Sequence, residues 1–362
     1  MKTENLYLRS IGVSLPAERV TLAEAFEAGH CRPNEFTGSD LVEVPVAPGT
    51  PGVELAADAA RRALDLAGLP VEQLALLIHA TMFSEGPEGW APVGYVMREL
   101  GCGQIPGFEV SQGCNGTLAG VELAAGWLAL APEGAGALVT AGLQADLPQV
   151  ERWRSAGFGM AIGDGGSALL LGKEEGIARI EAVNSLTYAD LEAMHRGDLP
   201  LAQGGTGAPA KVDVPGRARE FAIARRYNQF DFHRIFTMMY AEVTQRTLKE
   251  AGFTTDDLER VVFTNAGAEI IEADLLQPLG LPLSRATWDF GRTIGHIGAS
   301  DQAISLDHLL RSGQLDAGDR VLLVGGTQGY NVSSVVLTVT EAGAALRDGT
   351  PPAAPRPERT DS

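Results

Sequence analysis

The chain repeats itself in one register, and that repeat limits the possible folds more than any other feature. Ala67-Gly68, a polar connection and Leu74-Ala-Leu-Leu-Ile-His-Ala-Thr81 read as a helix end, a turn and a strand. A shift of 184 residues finds Ala251-Gly252 followed by Leu258-Glu-Arg-Val-Val-Phe-Thr-Asn265. The same shift lays Leu138-Val-Thr-Ala-Gly-Leu-Gln144 on Leu322-Leu-Val-Gly-Gly-Thr-Gln328. Few residues are identical, but the register is unbroken across three elements. Apolar, β-rich runs alternate with helical runs, which predicts an α/β fold with parallel strands and crossover helices in both halves. The strands read as continuous apolar runs, as in a sheet covered on both faces. The expected domains are two similar α/β halves, residues 1–175 and 176–345, with a Pro-rich tail at 346–362 whose composition predicts disorder. Two excursions, Thr21 to Val53 and Tyr188 to Val214, interrupt the pattern. Long loops of this kind commonly carry substrate contacts or cover a site.

Composition narrows the function. A chain of 362 residues with 45% hydrophobic residues can bury a sizeable core. A net charge of −18 argues against a nucleic-acid partner, whose phosphates it would repel. Three scattered cysteines make no disulfide framework and point to a reducing cytoplasm. The N-terminus has no basic segment followed by an apolar one, so no signal peptide is expected. The longest apolar run, Leu118 to Ala131, is too short to span a bilayer. The charge is uneven. Between Lys211 and Arg234, six basic residues, including Arg217, Arg219, Arg225 and Arg226, stand against three acidic ones. That patch suits the docking of an acidic carrier protein or a phosphate, or is a solvated helix face.

Residues Ser111-Gln112-Gly113-Cys114-Asn115-Gly116 join a strand-like run, Gly107 to Val110, to a helix-like run, Thr117 to Ala131. A thiolate at such an elbow is stabilised by the unpaired N–H groups and dipole of the helix start. Lone cysteines are often small core hydrophobes, so context decides. The 184-residue shift maps Cys114 to Gly298, between His296 and Asp301, at the start of the matching helix. Duplicated halves pack about a pseudo-twofold axis, so equivalent helix starts face one cleft. Cys114 and His296 are then expected to be neighbours, 182 residues apart in sequence. Asp301, in the first helical turn, can cap the helix and also orient the imidazole, as the third member of a nucleophile–base–orienter set. His195, in the second excursion, is a candidate accessory base. His30, His79, His233 and His308 lack local company. Gly163-Asp-Gly-Gly166 reads as a structural turn, and no spacing suits a metal.

Taken together, the Cys114 elbow, Phe158-Gly-Met-Ala-Ile-Gly-Asp-Gly-Gly-Ser167, Val261-Val-Phe-Thr-Asn-Ala-Gly267, Gly295-His-Ile-Gly-Ala-Ser300 and Val324-Gly-Gly-Thr-Gln-Gly329 resemble the ketoacyl-ACP synthase III branch of the thiolase superfamily. The likeness runs from about Asn5 to Thr340. It implies thiolase-like duplicated α/β halves layered αβαβα with central helices, the nucleophile in the first half and the base in the second. Condensing members of that family use Cys, His and Asn. Their His-Gln-Ala-Asn motif matches Thr264-Asn265-Ala266-Gly267, and their asparagine matches His296. The chain thus keeps the nucleophile, lacks histidine where decarboxylation needs it, and gains one elsewhere.

The Cys114–His296–Asp301 set is similar to the family's acyltransferase offshoot in antibiotic and polyketide biosynthesis. The resemblance implies an acyl group taken from a thioester onto Cys114 and passed to a hydroxyl, an amine or a carrier thiol. Oxyanion donors are the backbone N–H of Cys114 and, by match to the family's glycine loop, that of Gly326. Substrate contacts fall to Thr264, Asn265 and Trp90, the last by reaching a partner's acyl pocket across a homodimer. No bound cofactor is implied, because coenzyme A or an acyl-carrier phosphopantetheine serves as the donor substrate. The coenzyme A motif of condensing relatives has no counterpart in Thr21 to Val53, so coenzyme A would be held differently, and a carrier protein on the arginine patch is the alternative donor. The alternatives are a priming condensing enzyme and a non-catalytic partner subunit of an active ketosynthase.

Overall fold

The structure, a computed structural model, describes residues 1–87, 89–157, 159–201 and 211–347. The Pro-rich tail from residue 348 onward, Phe158 and the Gly-Gly-Thr-Gly-Ala-Pro run of the second excursion lie outside the described residues. In chain order the principal elements are β1 (Tyr7–Ser14), α1 (Gly52–Ala67), β2 (Leu74–Ala80), β3 (Gly107–Val110), α2 (Gly116–Leu130), β4 (Gly136–Leu143), β5 (Gly165–Gly172), β6 (Ala178–Thr187), α3 (Val214–Arg225), α4 (Gln229–Ala251), β7 (Leu258–Val262), α5 (Asp301–Arg311), β8 (Arg320–Thr327) and β9 (Asn331–Val339).

Among the described residues nine strands join in one sheet, in the order β3-β2-β4-β5-β1-β6-β9-β8-β7. Apart from the extra edge strand β3, that order is a palindrome. The run β2-β4-β5-β1 is answered by β7-β8-β9-β6, with the pseudo-twofold between β1 and β6. Those two strands meet only at Tyr7↔Arg179 and Leu8↔Ala178. Each half has the expected parallel strands joined through a crossover helix, but not every neighbouring pair is parallel. β2 runs parallel to β3 and β4, and β7 parallel to β8, but β4–β5, β5–β1, β8–β9 and β9–β6 are antiparallel. The physical reason is that β5 and β9 each follow their predecessor without a crossover helix. A continuous apolar run reports burial of both faces, not strand direction.

Layering follows from which helix faces are apolar. α2 is apolar all round and packs on β2 and β4 of the first half and on β6 and β9 of the second. α5, nine of whose residues are buried, packs on β1 and β5 and on β8 and β7. α1 covers the outer face of β1, β5 and β4, and α4 covers β9 and β6. Two helices therefore sit between the half-sheets with one outside each, the αβαβα arrangement. The 3-10 turns that start the central helices, Gly113–Asn115 and Gly298–Ser300, pack against each other. They lie 185 residues apart, one more than the strands, so Cys114 corresponds to Ala299 rather than to Gly298.

Candidate active site

Gly113 adopts φ +49°, which turns the chain sharply enough to lift Cys114 over the start of α2. A side chain at residue 113 would run into Thr327 and Gln328, so only glycine fits. Across the interface between halves, His296 is pinned on both sides. Its N–H donates to Ala161 O at 2.8 Å, and its carbonyl accepts from Gly163 N–H at 2.9 Å. Gly295, at φ +63°, lets the backbone come that close, because a Cβ there would lie 2.7 Å from Ala161 O. The 161–163 segment is fixed in turn by Asp164, which is fully buried. Asp164 accepts from Arg152 at 2.8 and 3.0 Å and from the N–H groups of Ala145 and Ala47 at 2.9 and 2.8 Å. The Gly163–Gly166 turn is structural, as read from the sequence, but its buried ion pair gave no local signal.

Cys114 Sγ lies 2.9 Å from His296 Nε2, and His296 Nδ1 lies 2.6 Å from Asp301 Oδ2. His296 is 1% exposed and Asp301 0%, while Cys114 is only partly buried. Asp301 does not cap its own helix. Its Oδ1 accepts from Ile297 N–H at 2.6 Å, and its Oδ2 also accepts from Asn265 N–H at 2.8 Å. Burial pushes the His296 imidazole down, but negative charge on Cys114 and on Asp301 outweighs it and holds the group well above its ordinary value. With both Asp301 oxygens acting as acceptors, the imidazole proton that faces it sits on Nδ1.

Cys114 and His296 open into a cavity of about 770 Å³ that Thr264 and Gly326 also line. Thr264 Oγ1 accepts from Gln302 Nε2 at 3.2 Å. Gly326 backs onto the ring of Tyr240, a buried phenol whose pKa burial raises well above the ordinary value. Three of the sequence expectations are corrected here. Asn265 does not line the cavity; it is 2% exposed, with its amide donating to Gly295 O at 2.9 Å and its N–H held on Asp301. Arg217 lines the cavity, but its guanidinium is spent on the carbonyls of His195 and Lys211, at 3.1 and 2.8 Å. No described residue of Thr21–Val53 lines the cavity, whereas Met194, His195, Val212 and Val214 of the second excursion do.

Trp90 lies outside its own chain's cavity and packs edge-on against Tyr95. Arg219 lines the cavity; Arg225 and Arg226 lie outside it. His195 reaches the cavity, but burial and the Arg217 charge push its pKa down to about 4, so it is neutral at neutral pH. His79, His308 and His233 have company the sequence did not reveal. His79 Nδ1 meets Thr140 Oγ1 at 2.9 Å, and His308 stacks on Phe290 with ring centroids 3.9 Å apart. His233 pairs with Asp274 at 2.9 Å, and both line the cavity. Among the described residues no group of three His, Cys, Asp or Glu side chains is arranged to hold a metal. No described helix is long and apolar enough to cross a membrane.

Comparison with known proteins agrees with this architecture. Residues 248–339 match the family described as 3-oxoacyl-[acyl-carrier-protein (ACP)] synthase III C terminal. The beta-ketoacyl-[acyl-carrier-protein] synthase III of Desulfitobacterium hafniense is 29% identical over 301 residues, spanning 82% of this chain and 86% of that protein. The solved structure of ChlB3, described as an acyltransferase, is 36% identical with a TM-score of 0.86, covering 96% of this chain and 98% of its own. The 3-oxoacyl-[acyl-carrier-protein] synthase III of Aquifex aeolicus shares the fold at 20% identity, with a TM-score of 0.75 over 92% of this chain and 99% of its own. With one fold, one duplicated architecture and a relative of this identity over its full length, the chain belongs to the ketoacyl-ACP synthase III-like family of the thiolase superfamily.

Proposed function

We propose that the protein is an acyltransferase that carries an acyl group from a thioester, on a carrier protein or coenzyme A, through acyl-Cys114 to a hydroxyl, amine or carrier-thiol acceptor in secondary metabolism. The observation that carries this reading is the Cys114–His296–Asp301 chain of contacts at 2.9 and 2.6 Å, with Thr264 where condensing relatives have histidine. Cys114 Sγ attacks the thioester carbonyl, the tetrahedral oxyanion is met by backbone N–H groups of Cys114 and Gly326, and the donor thiol leaves with the proton from His296. Acylation removes the charge on Sγ. His296 then keeps only Asp301 to offset its burial, and its hold on a proton weakens. The neutral imidazole takes the acceptor's proton as the acceptor attacks, and the acyl group leaves Cys114. Asp301 stabilises the imidazolium at each stage.

Donor delivery by a carrier protein is supported by Arg219, Arg225 and Arg226. They are exposed and form no ion pair among the described residues, beside exposed Ile223 and Phe230. A homodimer is supported by the sheet edge. Among the described residues β3 is unpaired on its outer side, and Phe108 and Trp127, packed edge-to-face there, are 51% and 41% exposed. Trp90, outside its own cavity, is available to a partner's. The two halves, 1–175 and 176–345, each supply one reacting group.

Intact-mass analysis after incubation with acyl thioesters tests the reading. The expected result is one adduct that Cys114→Ala abolishes; no adduct across several acyl groups refutes it. Condensation is the second reading, favoured by the names of relatives such as beta-ketoacyl-[acyl-carrier-protein] synthase III. Carbon dioxide release from a malonyl-carrier, with a β-ketoacyl product, decides for it.

A further inference from the structure

The N–H of Cys114 is already occupied. It donates to Thr327 Oγ1 at 3.1 Å, and the Thr327 hydroxyl donates its own proton to Gln328 Oε1. Thr327 ends β8, is 3% exposed and lines the cavity. When Sγ attacks a carbonyl, the oxygen of that carbonyl comes within reach of the N–H of the same residue. Oxyanion donors sit about 2.7–3.1 Å from the oxygen they stabilise. Thr327 Oγ1 and an incoming carbonyl oxygen therefore compete for the same Cys114 N–H. With its only proton committed to Gln328, it faces Cys114 as an acceptor, not as a second donor. The arrangement is built from both halves: residue 113 must be glycine to make room for Thr327 and Gln328, and Gln112 Nε2 reaches Gln328 O at 3.5 Å.

We infer that Thr327 is a positioning residue whose hydroxyl fills the oxyanion position of the free enzyme and yields it to the incoming carbonyl. This rests on the acyl-transfer reading above. The hydroxyl keeps the Cys114 N–H aligned and satisfied while the site is empty, at the cost of one hydrogen bond that the substrate must displace.

The test compares Thr327→Ala and Thr327→Ser with the unaltered protein in three measurements. Acylation of Cys114 by acetyl-, hexanoyl- and benzoyl-N-acetylcysteamine is followed by intact mass. Alkylation by iodoacetamide, which forms no oxyanion, reports the thiol alone. Hexanal forms a hemithioacetal: Sγ bonds to the aldehyde carbon, the carbonyl electron pair moves to oxygen, and the thiol proton ends on that oxygen. Its affinity is read as protection of Cys114 from iodoacetamide. Thr327→Ala is expected to acylate, and to bind hexanal, about fivefold better, the equivalent of one ordinary hydrogen bond of about 1 kcal/mol. Its alkylation rate is expected to stay unchanged, and Thr327→Ser to behave as the parent. Gln328→Leu, which removes the group that turns the hydroxyl toward Cys114, is expected to shift the same way by less, and serves if Thr327→Ala does not fold. Equal or weaker hexanal protection, a 10²–10³-fold slower acylation, or a parallel change in alkylation overturns the inference. Failure of every thioester to acylate the parent refutes the acyl-transfer reading instead, and the hexanal comparison still decides Thr327.

Discussion

Asp301→Asn removes one charge and almost no volume, so its effect is read directly from three hydrogen bonds. Both oxygens of Asp301 act only as acceptors, from His296 Nδ1 and Asn265 N–H on one and from Ile297 N–H on the other. An amide has one such oxygen. Turned one way, it serves His296 and Asn265 but points its NH2 at the Ile297 N–H, 2.6 Å from where an acceptor stood. Turned the other way, its NH2 faces His296 Nδ1, which must then accept, and the imidazole proton moves to Nε2, where no base remains for the acceptor substrate. Either orientation strands at least one buried donor, worth about 1–3 kcal/mol of stability. Loss of the general base costs about 10²–10⁴ in the transfer step. The assay is a single-turnover measurement: Cys114 is loaded from an acyl-N-acetylcysteamine, and loss of the acyl adduct to a hydroxyl acceptor is followed by mass, with urea unfolding alongside. A folded variant that turns over within about threefold of the parent would refute the assigned role of Asp301.

Three further outcomes follow from the same geometry. Cys114→Ala removes the first of the two charges that hold His296 up, so the imidazole pKa falls; a proton NMR titration showing no decrease contradicts the proposed pairing. The sign extends to stability. A raised histidine pKa contributes stability in full below its unfolded value of about 6.5 and loses it as pH climbs through the folded value, so this contribution of His296 to stability in urea unfolding falls as pH rises above about 6.5. His296→Ala stalls turnover after acylation or slows both steps, and unchanged transfer removes His296 from the mechanism. Asp164→Ala leaves the partly buried Arg152 without its principal partner and strands the N–H groups of Ala145 and Ala47, a loss of about 3 kcal/mol in urea unfolding.

The repeat made the essential pairing legible. A shift of 184 residues aligns Leu74 with Leu258 and Leu138 with Leu322, and its symmetry sets the Cys114 elbow against the matching helix start, beside His296, without any local signal linking them. Fold class followed from alternating apolar runs, because burial leaves its mark on composition. Strand direction did not: β5 and β9 turn back antiparallel, and apolar residues look the same either way. The roles of Asn265 and Thr327 were equally silent. Asn265 supports Asp301 from 36 residues away, and Thr327 meets the Cys114 N–H across 213. Such contacts depend on tertiary approach alone, and the residue types involved bond anywhere. His233 looked solitary because its partner, Asp274, is 41 residues further on.

The seam between β1 and β6 has a consequence for how reactivity arises in time. A nascent chain that ends with β7 carries the Cys114 thiol but neither its base nor that base's carboxylate, and β8 with Thr327 is still unmade. The Cys114–His296 contact therefore arises only when the second copy of the duplicated unit docks on the first.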